Sequence, residues 1–119
     1  MPFPDFPWVG KTVSGVTAVN TPVAQLIAAG RSGVTCVTVA NTTNEPVSVK
    51  LFDTATAPAL GVDVPVHTFN VGAYGSESVS FGAVGLWFTA GVALAMTKLM
   101  DSLDASVVQA GTQWTVTHT

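Results

Sequence analysis

One stretch of the chain decides the fold class: residues 47–97, VSVKLFDTATAPALGVDVPVHTFNVGAYGSESVSFGAVGLWFTAGVALAMT. Its first strand signal is the run in which Val47, Val49 and Leu51 alternate with polar residues, the period of a strand with one buried face. Further strands are predicted over residues 62–67, 77–81, 86–88 and 92–96, with turns rich in Ala, Pro and Gly between them. The stretch alone therefore predicts about five strands, close to a whole sheet.

The rest of the chain contains further predicted strands, over residues 12–19, 22–29, 34–40 and 112–118. The second of these could also form a turn or two of helix, but Gly30 would end it early, so a strand is favoured. Residues 34–52 are expected to form a hairpin around the polar turn 41–46, and residues 97–104 a loop with one helical turn. The fold class is therefore all-β, and eight or nine short strands with turn signals between them indicate a single sandwich or barrel over residues 11–119.

The strand over residues 34–40 is apolar on both faces. This pattern is typical of a central strand covered on each side, or of one with its second face at a subunit contact. Cys36, the single cysteine, cannot form an internal disulfide and is expected to act as a small core hydrophobe. With Val37, Val39 and Trp114 it forms a candidate oligomer interface.

Composition limits the classes of function. Charged residues make up 9% of the chain and the net charge is −3, which leaves few groups to keep the surface of a monomer hydrated. We therefore expect a component of an assembly. The four basic residues are dispersed, so no nucleic-acid partner is expected. There is no secretory signal and no apolar run long enough to span a bilayer, so we expect no membrane partner and synthesis in a reducing cytoplasm.

The first ten residues, MPFPDFPWVG, differ in character from the rest. Proline at this density fixes an extended backbone and removes hydrogen-bond donors, so the segment is predicted to be an arm and not an inner strand. The rings of Phe3, Phe6 and Trp8 are costly to leave in water. The arm is expected to dock on its own sandwich or on a neighbouring subunit, with the neighbour favoured because a terminal segment is free to reach it.

Motifs for chemistry are few. His67 and His118 are the two imidazoles, and both are expected to be exposed or at an interface, because no nucleophile motif accompanies them. The aspartates at 53, 63, 101 and 104 lack the calcium-loop spacing and are interpreted as turn residues. No catalytic residue, cofactor or metal is expected. Tyr74, at a predicted loop tip, is a candidate contact for a glycan.

Residues 34–108 resemble small structural proteins of tailed-bacteriophage virions. In that pattern a strand is followed by a loop with Ala-Pro, Gly, Asp and Pro-Val, then by an F-x-x-G-x-x-F-x-x-G element. The matching residues here, in order, are Ala57, Pro58, Gly61, Asp63, Pro65, Val66, Phe81, Gly85, Phe88, Gly91 and Val92. The chain departs from the pattern at residues 97–100 and in its N-terminal segment.

The resemblance implies a Greek-key or jelly-roll sandwich that acts as a capsid decoration, or cement, protein. Such proteins commonly sit as trimers on the outer capsid surface, so the implied partners are the major capsid protein and further copies of the chain. Phe3, Phe6 and Trp8 would then form the capsid or partner interface. The alternative is a tail-tip or fibre-head module that binds a host-surface glycan through Tyr74.

Overall fold

The computed structural model describes residues 11–18, 23–82 and 85–119, and within these ranges the regular elements are all strands. Val and Thr, which pack well on a pleated surface, are frequent in them. Within the same ranges no helix is long and apolar enough to cross a membrane. The strands are β1 (Lys11–Val16), β2 (Val23–Ala29), β3 (Ser32–Ala40), β4 (Val47–Asp53), β5 (His67–Val71), β6 (Ser76–Ser80), β7 (Leu86–Phe88), β8 (Gly91–Thr97) and β9 (Gln113–His118).

The strands pair as a nested set of antiparallel partners. β1 pairs with β9, β2 with β8, β3 with β6 and β4 with β5, as in a long hairpin rolled around a barrel axis. Sheet A has the order β1-β9-β3-β6, with the short β7 also on β3, and sheet B has the order β2-β8-β4-β5. Apart from β7, each sheet has four strands, and two four-stranded sheets connected in this way are a jelly roll. The predicted fold class is confirmed, with β7 as a ninth, three-residue strand.

The core lies between the two sheets. Alternate residues of each inner strand face it, as the two-residue period requires. Trp114 of β9 also packs over β1, where a Cβ added to Gly15 would come within 2.6 Å of the indole ring. The fully or nearly fully buried members are Val34, Val37, Val39, Val47, Val49, Leu51, Val71, Phe88, Val92, Leu94, Met96, Val108, Trp114 and Val116.

The predicted strand over residues 62–67 is wrong. Residues 54–66 form a loop, and β5 begins only at His67. Within the loop, Asp63 accepts a hydrogen bond from the Ala59 amide through Oδ2 (2.9 Å) and donates its own amide to the Ala59 carbonyl (2.9 Å). This turn and Pro65, which has no N–H, prevent a ladder from forming along the segment.

The predicted hairpin over residues 34–52 is also wrong. β3 lies in sheet A and β4 in sheet B, so the polar segment 41–46 crosses from one sheet to the other. The predicted helical turn at residues 97–104 is a hydrogen-bonded turn in which the Asp104 amide donates to the Asp101 carbonyl (3.0 Å). Residues 1–10 lie outside the described ranges, so the division into an arm and a sandwich stays a prediction.

Candidate docking surface

The four residues of the predicted oligomer interface do not share one surface in the structure. Val37, Val39 and Trp114 are buried between the two sheets of the chain itself, so these three cannot contact a partner and that prediction is wrong for them. Cys36 is partly exposed and points away from the core, because a register shift between Val34 and Cys36 sets the face it occupies. The prediction that Cys36 belongs to the core is therefore also wrong.

The outer face of sheet A is rich in hydroxyl groups. The register places these residues side by side on β1, β9, β3 and β6, and several bond each other, such as Ser14 with Thr115 and Thr38 with Ser78 (both 3.1 Å). This part of the face offers hydrogen bonds to a partner. Its hydroxyl residues are Thr12, Ser14, Thr38, Ser76, Ser78, Ser80, Thr115 and Thr117.

The histidines occupy structural positions. The ring of His67 contacts Phe81 edge-on, with centroids 5.0 Å apart, and lies 6.2 Å from that of Phe69. His118 is only 5% exposed, because it follows Trp114 and Val116 on the inner face of β9, so the expectation of an exposed or interface position is wrong for it. Within the described ranges no three His, Cys, Asp or Glu residues lie close enough to hold a metal ion.

Asp53 holds a turn that is not its own: the sequence predicted an aspartate that bonds its own turn, but Asp53 ends β4 and bonds a turn more than 30 residues later. Asp53 accepts hydrogen bonds from the amides of Thr89, Ala90 and Gly91 and from the Thr89 hydroxyl, at 2.8–3.3 Å. The Ala90 and Thr89 amides lower the pKa of Asp53 below its ordinary value, because they stabilise the carboxylate. These bonds fix the β7–β8 turn.

Lys50 is the most unusual residue of sheet B. It lies on β4 facing away from the core, yet it is completely buried beneath the loop 98–112. Its ammonium donates to the carbonyls of Asp101 (2.5 Å) and Asp104 (3.4 Å). Burial lowers the pKa of Lys50, while the nearby carboxylates of Asp104 and Asp101 oppose this shift. Lys50 therefore ties the loop to the outside of the sheet.

Asp104 shapes the same loop from within. Its carboxylate accepts from the Leu99 amide (3.0 Å) and from the Ser106 hydroxyl (2.5 Å). Burial acts to raise the pKa of Asp104, but the bonds from Ser106 and Leu99 and the charge of Lys50 outweigh it, so the pKa is lowered. The loop is thus fixed by a buried cation and a bonded carboxylate.

A second loop covers the rest of this face. Leu60, in the loop 54–66, packs on the small outer cluster of Phe52, Ala93 and Ala95. The two loops meet at Gly61, where an added Cβ would lie 3.7 Å from the Leu103 carbonyl oxygen. The outside of sheet B is therefore built from two loops that are distant in sequence.

These two loops present large apolar side chains to solvent. In the loop 54–66 the exposure of the side chains alternates as the sequence indicated, but with the opposite sides covered. The valines face outward, whereas Asp63 and Pro65 are partly covered. We call the six exposed side chains the apolar loop surface. They are Val62 (75% exposed), Val64 (67%), Val66 (57%), Leu99 (62%), Met100 (53%) and Leu103 (51%). The loops that carry them meet at Gly61, and large exposed apolar patches mark interaction sites.

Tyr74 lies at a tip formed by the segment 72–75, which connects the two sheets. Its side chain is 73% exposed, and its φ of 55° is the one positive value for a non-glycine residue in the described ranges. The Tyr74 amide donates to the Thr43 carbonyl (2.9 Å), which holds the tip in place. A tyrosine in this backbone region is strained, and such strain persists where the surroundings enforce it.

The side chain of Asn41 holds the Tyr74 tip in this strained conformation. Its buried amide donates to the carbonyls of Glu45 (2.7 Å) and Gly72 (3.1 Å). Its Oδ1 accepts from the Thr43 amide (3.0 Å) and the Thr112 hydroxyl (3.2 Å). One side chain thus joins three connections at the same end of the sandwich, and the sequence alone marked residue 41 only as part of a polar turn.

No protein-family model matches the chain, and no curated protein matches it. Among solved structures it is similar to the tobacco streak virus coat protein, with a TM-score of 0.43 and 13% identity over 97% of this chain and 90% of that chain. A second structure, a dimer of the same coat protein, gives a TM-score of 0.38 and 12% identity over 94% of this chain and 86% of that chain. At these TM-scores the likeness carries no functional argument, and the jelly roll rests on the strand pairing described above.

Proposed function

We propose that this protein is a structural component of a virus particle that binds the outer capsid surface as a decoration, or cement, protein and bridges capsid subunits, as a trimer. The observation that carries the proposal is the apolar loop surface, because six large apolar side chains exposed on a small domain with so few charges indicate a chain that works within an assembly. The resemblance of residues 34–108 to tailed-phage virion proteins points in the same direction. A jelly roll by itself does not specify a function.

Decoration would stabilise the particle by mass action. A protein that binds the assembled, expanded lattice and not the separate subunits stabilises the lattice by its binding free energy. In this scheme Phe3, Phe6 and Trp8 supply contact with the rest of the particle. Cys36, on the outer face of sheet A, is the remaining candidate from the predicted oligomer interface.

The test is co-sedimentation with expanded empty heads of the virus that encodes the chain. The full chain should sediment with the heads, and a chain without residues 1–10 should stay in the supernatant while keeping the circular dichroism of a β-protein. The triple variant Phe3→Ala, Phe6→Ala, Trp8→Ala should behave like the truncation. Equal decoration by all three proteins would contradict the role of the arm, and no decoration by the full chain would contradict the proposed function.

The second candidate is a tail-tip or fibre-head module that binds a host-surface glycan. The observation that favours it is Tyr74, whose exposed ring stands on a strained backbone held by Asn41. Exposed aromatic rings on fixed loops are suited to stacking on sugars. A glycan array with the wild-type chain and Tyr74→Ala separates the candidates, since a decoration protein gives no sugar signal that depends on Tyr74.

A further inference from the structure

The chain has two apolar features that its own fold does not explain. One is the apolar loop surface outside sheet B, and the other is the segment 1–10, which carries three aromatic rings and no Lys or Arg. Each is costly to leave in water. Each would be stabilised by contact with the other, since burying apolar area removes this cost at roughly 25 cal/mol per Å².

The two features also match in spacing. Val62, Val64 and Val66 face outward at every second residue, and Phe6 and Trp8 are likewise two residues apart. In an extended backbone such side chains recur on one side at intervals of about 6.6 Å. An extended aromatic segment can therefore lie along the valine row with its rings between the valine side chains. Asp5, the one ionised side chain of the segment, alternates with Phe6 in an extended backbone, so it lies on the side away from the valines and can stay in water.

The position of Lys11 favours a second copy as the source of the segment. β1 begins at Lys11 and is an edge strand of sheet A, stacked next to β2, with which it lines a cleft. Val66 is bonded to Leu51 of β4, an inner strand of sheet B (2.8 Å). Two strand spacings separate β2 from β4, about 10 Å, and the sheets are about 10 Å apart before the loop layer is added.

Trp8 reaches the valine row more easily from a second copy than from its own chain. It precedes Lys11 by three residues, so its Cα lies at most about 11 Å from that of Lys11. The path around the sandwich to the valine row is about twice as long. A neighbouring copy has no such limit on where it places Trp8.

We propose that the apolar loop surface of one copy binds residues 1–10 of a second copy, with Trp8 and Phe6 against Val64 and Val66. This goes beyond the proposed function, because it concerns copies of this chain alone. The contact is heterologous, since one copy gives a segment and the other a surface. Such contacts close into rings when the rotation between copies permits, and a trimer is one such ring.

Disulfide trapping between two different full-length chains tests the proposal. In a Cys36→Ser background, a Trp8→Cys chain is mixed with a Val64→Cys chain under mild oxidation. A disulfide requires Cα atoms within about 7 Å, so a covalent heterodimer reports docking of the segment on the surface. Val16→Cys is the matched control, because Val16 is 61% exposed but lies on β1. We expect the heterodimer with Val64→Cys at several times the yield obtained with Val16→Cys.

Three results would overturn the proposal. These are equal yields with the two surface cysteines, no heterodimer at all, or an intrachain disulfide in a dilute chain that carries both Trp8→Cys and Val64→Cys. The last result would mean that each chain covers its own surface.

Sedimentation of Val64→Asp, with Val16→Asp as control, separates this proposal from the proposed function. We expect Val64→Asp to weaken self-association at least tenfold and Val16→Asp to leave it unchanged. If Val64→Asp kept self-association but lost capsid binding, the capsid would occupy the surface and the proposal would be wrong. If the heterodimer forms but the full chain binds no capsid, the proposal stands and the decoration function fails.

Discussion

Lys50 illustrates how one side chain can define a surface. It occupies an outward position of β4, where a lysine would ordinarily be solvated, but the loop 98–112 covers it and its ammonium bonds the Asp101 and Asp104 carbonyls. The sequence could not reveal this, because alternation on β4 shows that Lys50 faces away from the core and says nothing about a loop 50 residues later. The exposed Leu99, Met100 and Leu103 depend on this attachment.

Replacing Lys50 should loosen that loop. Lys50→Met keeps the length of the side chain but leaves two carbonyls without their donor, so we expect the free energy of unfolding to fall by about 1–3 kcal/mol. Urea unfolding measures this, and trypsin cleavage after the exposed Lys98 should become faster. Lys11→Met, on the exposed edge strand β1, should change the free energy by no more than about 0.5 kcal/mol. Equal effects of the two variants would show that the attachment contributes nothing.

The lowered pKa values of Asp53 and Asp104 predict that the folded protein loses stability in acid. Both have a pKa below the ordinary value of 3.8, so their contribution to stability is complete above about pH 4 and is lost as the pH falls through the folded-state pKa. Thermal unfolding between pH 6 and pH 2.5 should show this loss. In Asp53→Asn the melting temperature should be lower at pH 6, and its difference from wild type should shrink in acid. A constant difference would contradict this assignment, and Glu77→Gln, on the exposed β6, serves as the control.

For the individual elements, the alternation of apolar and polar residues predicted where strands lie better than it predicted which side of a segment is covered. β4, β8 and β9 lie where the pattern placed them, with alternate apolar residues in the core. Residues 62–66 show the same pattern in a loop, with the valines in solvent. Alternation states that two sides differ, but which side is covered depends on contacts made elsewhere, here the Asp63 turn and the packing of Leu60.

The β1–β9 pair depends on a glycine. Gly15 faces Trp114 so closely that a Cβ would come within 2.6 Å of the indole ring. Gly15→Ala should therefore displace the ring and lower the free energy of unfolding by about 1–3 kcal/mol, the usual cost of overpacking. Gly72→Ala is the control, since nothing lies within 4 Å of its added Cβ. Unfolding monitored by tryptophan fluorescence measures the free energy of unfolding of both variants. Equal values for Gly15→Ala and Gly72→Ala would contradict the packing argument.

At the scale of the whole molecule, the sandwich and its class followed from the sequence, but the assignment of strands to sheets did not. β3 and β4 are neighbours in sequence with a good turn between them, and they still belong to different sheets. β3 instead pairs with β9, more than 70 residues later, and such pairing has no local signal. For the same reason the meeting of the loops 54–66 and 98–112 could not be read from either loop alone.

The low charge of the molecule predicts how its association responds to salt. Self-association through the apolar loop surface involves few ionised groups, so 1 M NaCl should leave it essentially unchanged, whereas contacts between charges would be screened. Sodium sulfate, which strengthens apolar burial, should increase it. Sedimentation velocity in low salt, in 1 M NaCl and in sodium sulfate measures the self-association. Dissociation in 1 M NaCl would indicate an electrostatic interface instead.

The nested pairing of the strands also has a consequence for synthesis on the ribosome. β9 leaves the exit tunnel after the other eight strands, yet it fills the gap between β1 and β3 in sheet A. Until then both strands carry unpaired edges, which are templates for wrong pairing with other chains. Sheet A is therefore completed only after β9 has left the tunnel, and a message that ends before residue 113 should yield a product that aggregates.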